Sequence, residues 1–273
     1  MNLSIYGSTG FVGSNYNNLY PGHHLIQREE RTPKSDDLLY FISTVHNYHV
    51  YDDITLDVKT NLEVLCEVLG ECRENKNTTI NFVSSWFVYG ITNNLPAKET
   101  DIRNPTGFYS ITKKCAEDLL ISFCKTYGLN YRILRLCNVL GYGDKGVSKK
   151  KNALTWMIRQ IKDGNDISLY DNGTPIRDVM HVDDICRAIN LVCENGELNE
   201  IYNIGSGVQT KICDIMKMAK DHTGSSSQIN YIDPPNFHKE VQNKDFWMNV
   251  DKLHSLGFKP QHSLEFIIKD LCQ

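Results

Sequence analysis

A short apolar segment, Met1-Asn-Leu-Ser-Ile-Tyr6, runs directly into Gly7-Ser-Thr-Gly-Phe-Val-Gly13 and then into a polar segment ending at Tyr20-Pro21. Strand, glycine turn and helix in this order restrict the fold more than any other stretch. The first glycine permits a tight turn, the second lets backbone approach a pyrophosphate, and the third allows close helix packing. The helix N-terminus then faces the phosphate charge. The spacing is Gly-x-x-Gly-x-x-Gly, with Thr9, Phe11 and Val12 inside the turn. At the first strand of an alternating pattern, it predicts a dinucleotide site on a parallel α/β sheet.

The alternation continues. His24-Leu-Ile-Gln27 reads as a second strand, followed by Arg28-Glu-Glu-Arg31 where a strand-end acid would accept from the ribose hydroxyl of NAD. Arg28 can instead meet the extra phosphate of NADP, or belong to a solvated charge cluster. About ten residues separate this strand from Leu38-Leu-Tyr-Phe-Ile-Ser43, too few for a helical crossover, so the sheet is abbreviated there. Leu62, Leu65 and Leu69 recur at helical spacing, and a buried strand at Thr79-Ile-Asn-Phe-Val83 ends in Ser84-Ser85-Trp-Phe-Val-Tyr-Gly90. Serines at a strand's carboxyl end lie where doubly wound sheets bind ligands.

Asn104-Pro-Thr-Gly-Phe-Tyr-Ser-Ile-Thr-Lys113 opens the next helix, which places Tyr109 and Lys113 four residues apart on one face. An ammonium beside a phenol favours the phenolate and brings the group towards acid–base work near neutrality. A strand at Tyr131-Arg-Ile-Leu-Arg135 follows. Beyond Asn138-Val-Leu-Gly-Tyr-Gly-Asp144 the pattern loosens, with helices at 153–162 and 212–222, a strand at 167–170, and a short helix before Gly257. The division expected is a dinucleotide-binding part over residues 1–145 and a smaller α/β substrate lobe over 146–273, with some elements of the second part returning to the first.

Composition narrows the classes. A net charge of -4 and a pI near 6.1 give no field that would recruit nucleic acid or an anionic membrane. The nine cysteines are scattered and odd in number, and read as reduced core residues, with no linear His/Cys spacing that suggests a metal. No stretch reaches the length of a membrane span, and the N-terminus lacks a leader pattern, so a cytoplasmic location is expected.

With these motifs in order, the chain resembles the extended short-chain dehydrogenase/reductases, the nucleotide-sugar epimerases, dehydratases and reductases. Arg135-Leu-Cys-Asn138, Arg177-Asp-Val-Met-His-Val-Asp-Asp184 and Asn203-Ile-Gly-Ser-Gly207 are similar to further signatures of that family. The resemblance implies a Rossmann-like doubly wound sheet with NAD(P) held by Gly7, Thr9, Gly10, Phe11, Val12, Gly13, Arg28, Ser43, Tyr109 and Lys113. Arg28 tilts the choice slightly to NADP(H). It implies that Tyr109 is the proton donor and acceptor, that Lys113 binds the nicotinamide ribose and lowers the tyrosine, and that Ser85 bonds the same substrate oxygen. Asn138 and Arg177 would meet the diphosphate of a nucleotide sugar, and Trp86 would stack on the sugar or pack between the lobes. His46, Asn47 and Tyr48 are further sugar contacts, or a loop cap.

The departures matter as much. The dehydratases of that family carry Asp-Glu where this chain has Trp86-Phe87, and neither aromatic does acid–base work. What remains is C4 ketoreduction, its reverse, or 4-epimerisation through a transient ketone; a noncatalytic dinucleotide sensor is the rival from another class. The family's C-terminal phosphate-binding arginine is replaced by Gln242, with Lys239 and Lys244 as substitutes. The resemblance also implies a homodimer through the Leu56–Leu69 and Tyr109 helices, with Leu119, Leu120 and Phe123 supplying apolar area, unless those residues face the chain's own sheet.

Overall fold

The computed structural model describes residues 2–242 and 244–273. In chain order the first part runs β1 (Leu3–Tyr6), α1 (Phe11–Leu19), β2 (His24–Ile26), β3 (Asp37–Tyr40) and a 3-10 turn at Asn47–Tyr51. One continuous helical run follows, α2 (Leu56–Val58), a wider π turn (Lys59–Glu63) and α3 (Val64–Cys72), then β4 (Thr79–Ser85), α4 (Phe108–Tyr127) and β5 (Asn130–Leu136). The remainder comprises β6 (Asn138–Leu140), α5 (Ala153–Lys162), β7 (Ile167–Tyr170), β8 (Ile176–Arg177), β9 (Val179–His181), α6 (Val182–Asn195) and β10 (Glu200–Ile204). β11 (Thr210–Lys211), α7 (Ile212–Thr223), β12 (Ile229–Ile232), α8 (Asn236–Val241), α9 (Asp251–Ser255) and α10 (Leu264–Leu271) complete the chain.

Six strands form one parallel sheet in the order β2-β1-β3-β4-β5-β10. The chain reverses direction across the sheet after β2, and this switch point opens a crevice at the carboxyl ends of β1 and β3. No helix lies between β2 and β3. The loop joining them is fastened instead by polar contacts: Arg31 Nε to Glu67 at 2.6 Å, Thr32 Oγ1 to Glu71 at 2.8 Å, and the Tyr6 hydroxyl to the Arg31 carbonyl at 2.6 Å. The abbreviated crossover expected from the spacing is therefore a loop laid against α3.

Both faces of the sheet are covered. Tyr6, Leu38, Tyr40, Ile80, Phe82 and Ile133 pack under α3 and α4, while Leu3, Ile5, Leu39, Leu134, Tyr202 and Ile204 pack under α1 and α6. Alternate residues of each strand thus go to opposite cores, as fully buried parallel strands require. A third core joins α5, α7, α10 and β7 through Ile158, Ile161, Ile167, Leu169, Ile215, Met216 and Ile268. The later part of the chain also returns to the first body, since β10 is a strand of the main sheet, and α6, Phe246, Met248 and Phe258 join its core. Among the described residues no helix is long and apolar enough to cross a membrane.

Candidate active site

The glycine turn is built for a close anionic neighbour. Gly7 has φ +79°, a conformation that disfavours side chains, and a Cβ on Gly13 would sit 2.3 Å from the Gly7 carbonyl oxygen. Gly10 caps α1 with no side-chain bond to the helix, and the first turn holds no acid. Its leading N–H groups and dipole therefore suit a phosphate. Phe11 and Val12 turn partly inward against the core, and Thr9 is exposed at the tip. These residues fit the pyrophosphate of a dinucleotide. Arg28 lies beyond β2 with its side chain 97% exposed, 3.9 Å from Glu29.

Tyr109 lies in the first turn of α4, whose N-terminus is pinned by Asn47. The buried Asn47 Oδ1 accepts from the Ser110 N–H at 3.1 Å and the Ser110 hydroxyl at 3.0 Å. A side chain at Gly107 would collide with that amide, which is why glycine precedes the helix. Asn47 thus fastens the start of a helix, where the sequence suggests a sugar contact or a loop cap. Tyr48 bonds instead with His238 at 3.3 Å.

The phenol of Tyr109 is 7% exposed. Burial raises its pKa, hydrogen bonds with Ser85 and Ser43 act in the opposite direction, and the charge of Asp57 raises it further. Ser85 and Ser43 end neighbouring stretches of the sheet, so topology brings the two hydroxyls to one phenol. Phe87 closes the site, its ring meeting Tyr109 edge-on at 5.7 Å.

Lys113 shares the buried face with Tyr109, but its partners differ from those expected. Its Nζ donates to the Val83 carbonyl at 2.8 Å and sits 4.1 Å from the centre of the Phe82 ring. Burial lowers its pKa to about 7, with Glu117 opposing. The ammonium is held by the sheet rather than by the phenol, so the shift of Tyr109 is governed by burial, by the two serines that oppose it and by the Asp57 charge that adds to it. The same helical row continues to Glu117, which the motif search passed over. Glu117 is wholly buried, 2.8 Å from Arg135 and 2.8 Å from Arg103, and accepts from Ser84 at 2.5 Å. The i, i+4, i+8 spacing was the signal available for it.

Asn61 was also missed. It is buried in the π turn, and its amide bonds Ser43, Thr44 and Thr112. A lone asparagine in an apolar helical pattern carries no linear signal of that role.

On the substrate side, Arg177 lines a cavity of about 240 Å³ with His238, Lys239, Gln242, Lys244 and Asp171. Arg177, distant in sequence from Lys239 and Lys244, meets them there, so three cations line the cavity. Arg177 donates to the carbonyls of Ile176 at 2.8 Å and Lys244 at 2.7 Å, and burial lowers its pKa to about 10. Asn138, at the start of β6, donates through Nδ2 to the Asp178 carbonyl at 3.0 Å. Trp86, expected either at the sugar or between the lobes, takes the packing place. It is 3% exposed, stacked on Phe87 at 4.1 Å and Phe246 at 4.7 Å, with the Arg177 guanidinium 5.6 Å from its ring.

The fold bears on two further readings. Leu120 is fully buried in the chain's own core, the alternative to a dimer face, while Leu119 is 38% exposed. Linear spacing gave no metal-ligand cluster, yet folding brings ligand atoms of His181, Asp183 and His262 within 4.8 Å of one another. Those groups already have partners, His181 Nε2 with Asp270 at 3.3 Å and His262 Nδ1 with Asp184 at 3.0 Å. These contacts tie the segment before α10, and α10 itself, to β9 and α6.

Known proteins share this fold. The solved UDP-glucose 4-epimerase of Thermotoga maritima, in complex with UDP-glucose, superposes with a TM-score of 0.85 at 23% identity, over 100% of this chain and 97% of that one. RMD of Pseudomonas aeruginosa, complexed with NADPH, gives 0.86 at 21% identity, over 100% and 97%. In sequence, dTDP-glucose 4,6-dehydratase of Streptomyces antibioticus is 24% identical over 306 residues, covering 96% of this chain and 88% of that protein. The model of the NAD dependent epimerase/dehydratase family matches residues 34–205, well over half of the chain. The chain therefore belongs to the NAD dependent epimerase/dehydratase family, whose members are nucleotide-sugar epimerases, dehydratases and reductases.

Proposed function

We propose that the protein is an NAD(P)-dependent nucleotide-sugar oxidoreductase that reduces the C4 ketone of an NDP-4-keto-(6-deoxy)sugar, with Tyr109 as proton donor. The observation that carries this reading is the aromatic wall beside the phenol, where Phe87 meets Tyr109 at 5.7 Å and Trp86 is sealed behind it. Dehydration needs an acid for the departing hydroxyl and a base for C5, and positions 86 and 87 offer neither. Ketone reduction needs one proton donor and a hydrogen bond to the oxygen, which Tyr109 and Ser85 provide.

The bound nicotinamide would supply the hydride to the sugar carbon. Tyr109 passes its proton to the resulting alkoxide oxygen, Ser85 holds that oxygen, and Lys113 binds the ribose. Gly7, Gly10, Gly13 and the α1 N-terminus hold the pyrophosphate of the cofactor, and Arg177 with Lys239 and Lys244 neutralises the diphosphate of the sugar nucleotide. Dimer contact is assigned to the outer face of α4, where Phe108, Ile111, Leu119 and Tyr127 are exposed. A cytoplasmic setting, with free exchange of soluble cofactor, suits the same reading.

A 4-epimerase that retains NAD is the second reading, favoured by the solvation of Arg28, which weakens the argument for NADP. A noncatalytic sensor has less support, because Tyr109 and Lys113 are both present and buried. The test is to denature the purified protein and identify any released dinucleotide by mass. Empty protein that binds NADPH and reduces an NDP-4-keto-6-deoxysugar sustains the reductase. Stoichiometric NAD with interconversion of C4 epimers replaces it with the epimerase.

A further inference from the structure

Asp57 has no place in the chemistry above, yet it is a carboxylate only 1% exposed, buried within reach of the catalytic helix. Its Oδ1 accepts from the Thr44 hydroxyl at 2.5 Å. Because that hydroxyl has one proton and spends it on Asp57, Thr44 Oγ1 can only accept from its other partner. That partner is Asn61 Nδ2, at 2.8 Å. The amide is thereby oriented: Nδ2 faces Thr44 Oγ1 and Thr112 Oγ1, at 2.8 and 2.9 Å, and Oδ1 faces the Thr44 N–H at 2.8 Å and the Ser43 hydroxyl at 3.1 Å. The reversed amide would set donor against donor at the Thr44 N–H. Thr112 belongs to α4, three residues past Tyr109, and the Ser43 hydroxyl, which also donates to the Thr44 carbonyl at 2.6 Å, acts to lower the pKa of the phenol.

We propose that Asp57 is a positioning residue that acts through Thr44 and Asn61 to fix both the Ser43 hydroxyl and the helical turn carrying Tyr109, and so sets the hydrogen bonding of the catalytic phenol. The proposal rests on the role given to Tyr109, but its geometry does not depend on which sugar is reduced. Burial is what makes the device effective, since an anion in a low-dielectric setting holds its donor firmly and its charge carries to the phenol. The charged and titratable groups that interact with it are His49 on the 3-10 turn and Tyr109 on α4, while Asp53 precedes the helical run that carries it and Lys59 and Glu63 follow it on that run. Burial raises the pKa of Asp57, the Thr44 hydrogen bond and the His49 charge act against it, and the Asp57 charge in turn opposes ionisation of Tyr109.

The experiment is a pH titration of the full chain carrying ¹³C at the tyrosine ring carbon bearing the hydroxyl, followed by NMR. The Tyr109 resonance is identified by its loss in Tyr109→Phe. In Asp57→Asn, which keeps an oxygen acceptor but not the charge, Tyr109 should ionise at lower pH, by about half a unit to one unit. Asp57→Glu should restore most of the shift. Thr44→Val, which leaves the carboxylate in place and removes the link, should also move Tyr109 while the remaining tyrosine signals stay unchanged. It carries the test if Asp57→Asn does not fold. A Tyr109 titration unmoved in Thr44→Val, or in a folded Asp57→Asn, overturns the proposal. Because no substrate is used, such a failure is distinct from failure of the ketoreductase reading.

Discussion

The inner face of α4 and the loop after β2 both hold residues assigned to the reaction, and they are built in opposite ways. On α4, Tyr109, Lys113 and Glu117 form one buried row, and each side chain is fixed by groups on a different strand or helix. After β2, Arg28 stands in solvent with only Glu29 near it. The first arrangement ties chemistry to the fold, so a change there affects stability, acidity and turnover together. The second is a solvated cation on a short loop, which can change with little effect on anything else. Substitutions at the two places should therefore differ in size and in kind.

The largest effect is expected at the phenol. Tyr109→Phe should lower turnover by about 10²- to 10⁴-fold, the usual contribution of a general acid, while dinucleotide affinity measured by fluorescence titration changes little. A variant that kept most of its activity would show that the buried row is structural and that the proton comes from elsewhere.

Next comes the ion pair that closes the row. Glu117→Ala leaves Arg135 buried without its carboxylate and deprives Ser84 of its acceptor. Losing one partner of a buried pair costs about 3–5 kcal/mol, enough to lower Tm by on the order of 10 °C in a chain of this size. Calorimetry showing a change of a degree or two would mean that Arg103 and Arg135 find solvent more easily than their burial implies.

Lys113 tests the same row through pH. Its folded pKa of about 7 lies below the ordinary 10.5, so between those values the unfolded chain holds a proton that the folded protein has released. Stability must then rise with pH across that window, and fall back as pH drops to about 7. Lys113→Met removes this dependence. Urea unfolding should show the methionine variant gaining over wild type by on the order of a few kcal/mol near pH 6.5, a gap that closes towards pH 10. A constant gap would place the ammonium in water.

Much of the fold was readable because its signals are local. The glycine turn, the apolar strands and the helix over Phe108–Tyr127 each follow from a few neighbouring residues, and even the missing crossover shows as a short spacing. The site was legible only where a helix brings spaced residues together, as for Tyr109 and Lys113. Asn61, Asp57 and Thr44 meet through a π turn and a strand end that no pattern announces. Trp86 could not be assigned because its neighbour Phe246 lies 160 positions away. Arg177 was named apart from the pair Lys239 and Lys244, and only the fold shows all three lining one cavity.

The smallest effect is expected at Arg28, and it is the one that tests the choice of cofactor. If its guanidinium meets the 2′-phosphate, Arg28→Ala should weaken NADP(H) by about 3- to 10-fold, the scale of an exposed charge-assisted contact, and leave NAD(H) unchanged. Thermal unfolding should not move, because the side chain touches no buried group. Raising ionic strength should reduce the NADP(H) advantage of the wild-type protein towards that of the variant, since a solvated ion pair is screened over about 8–10 Å at physiological salt. Equal losses for both dinucleotides would make Arg28 a bystander. The choice between them would then rest on the glycine turn alone, which reads pyrophosphate and not ribose, and a protein that cannot tell NADP from NAD is better suited to keeping its cofactor than to exchanging it.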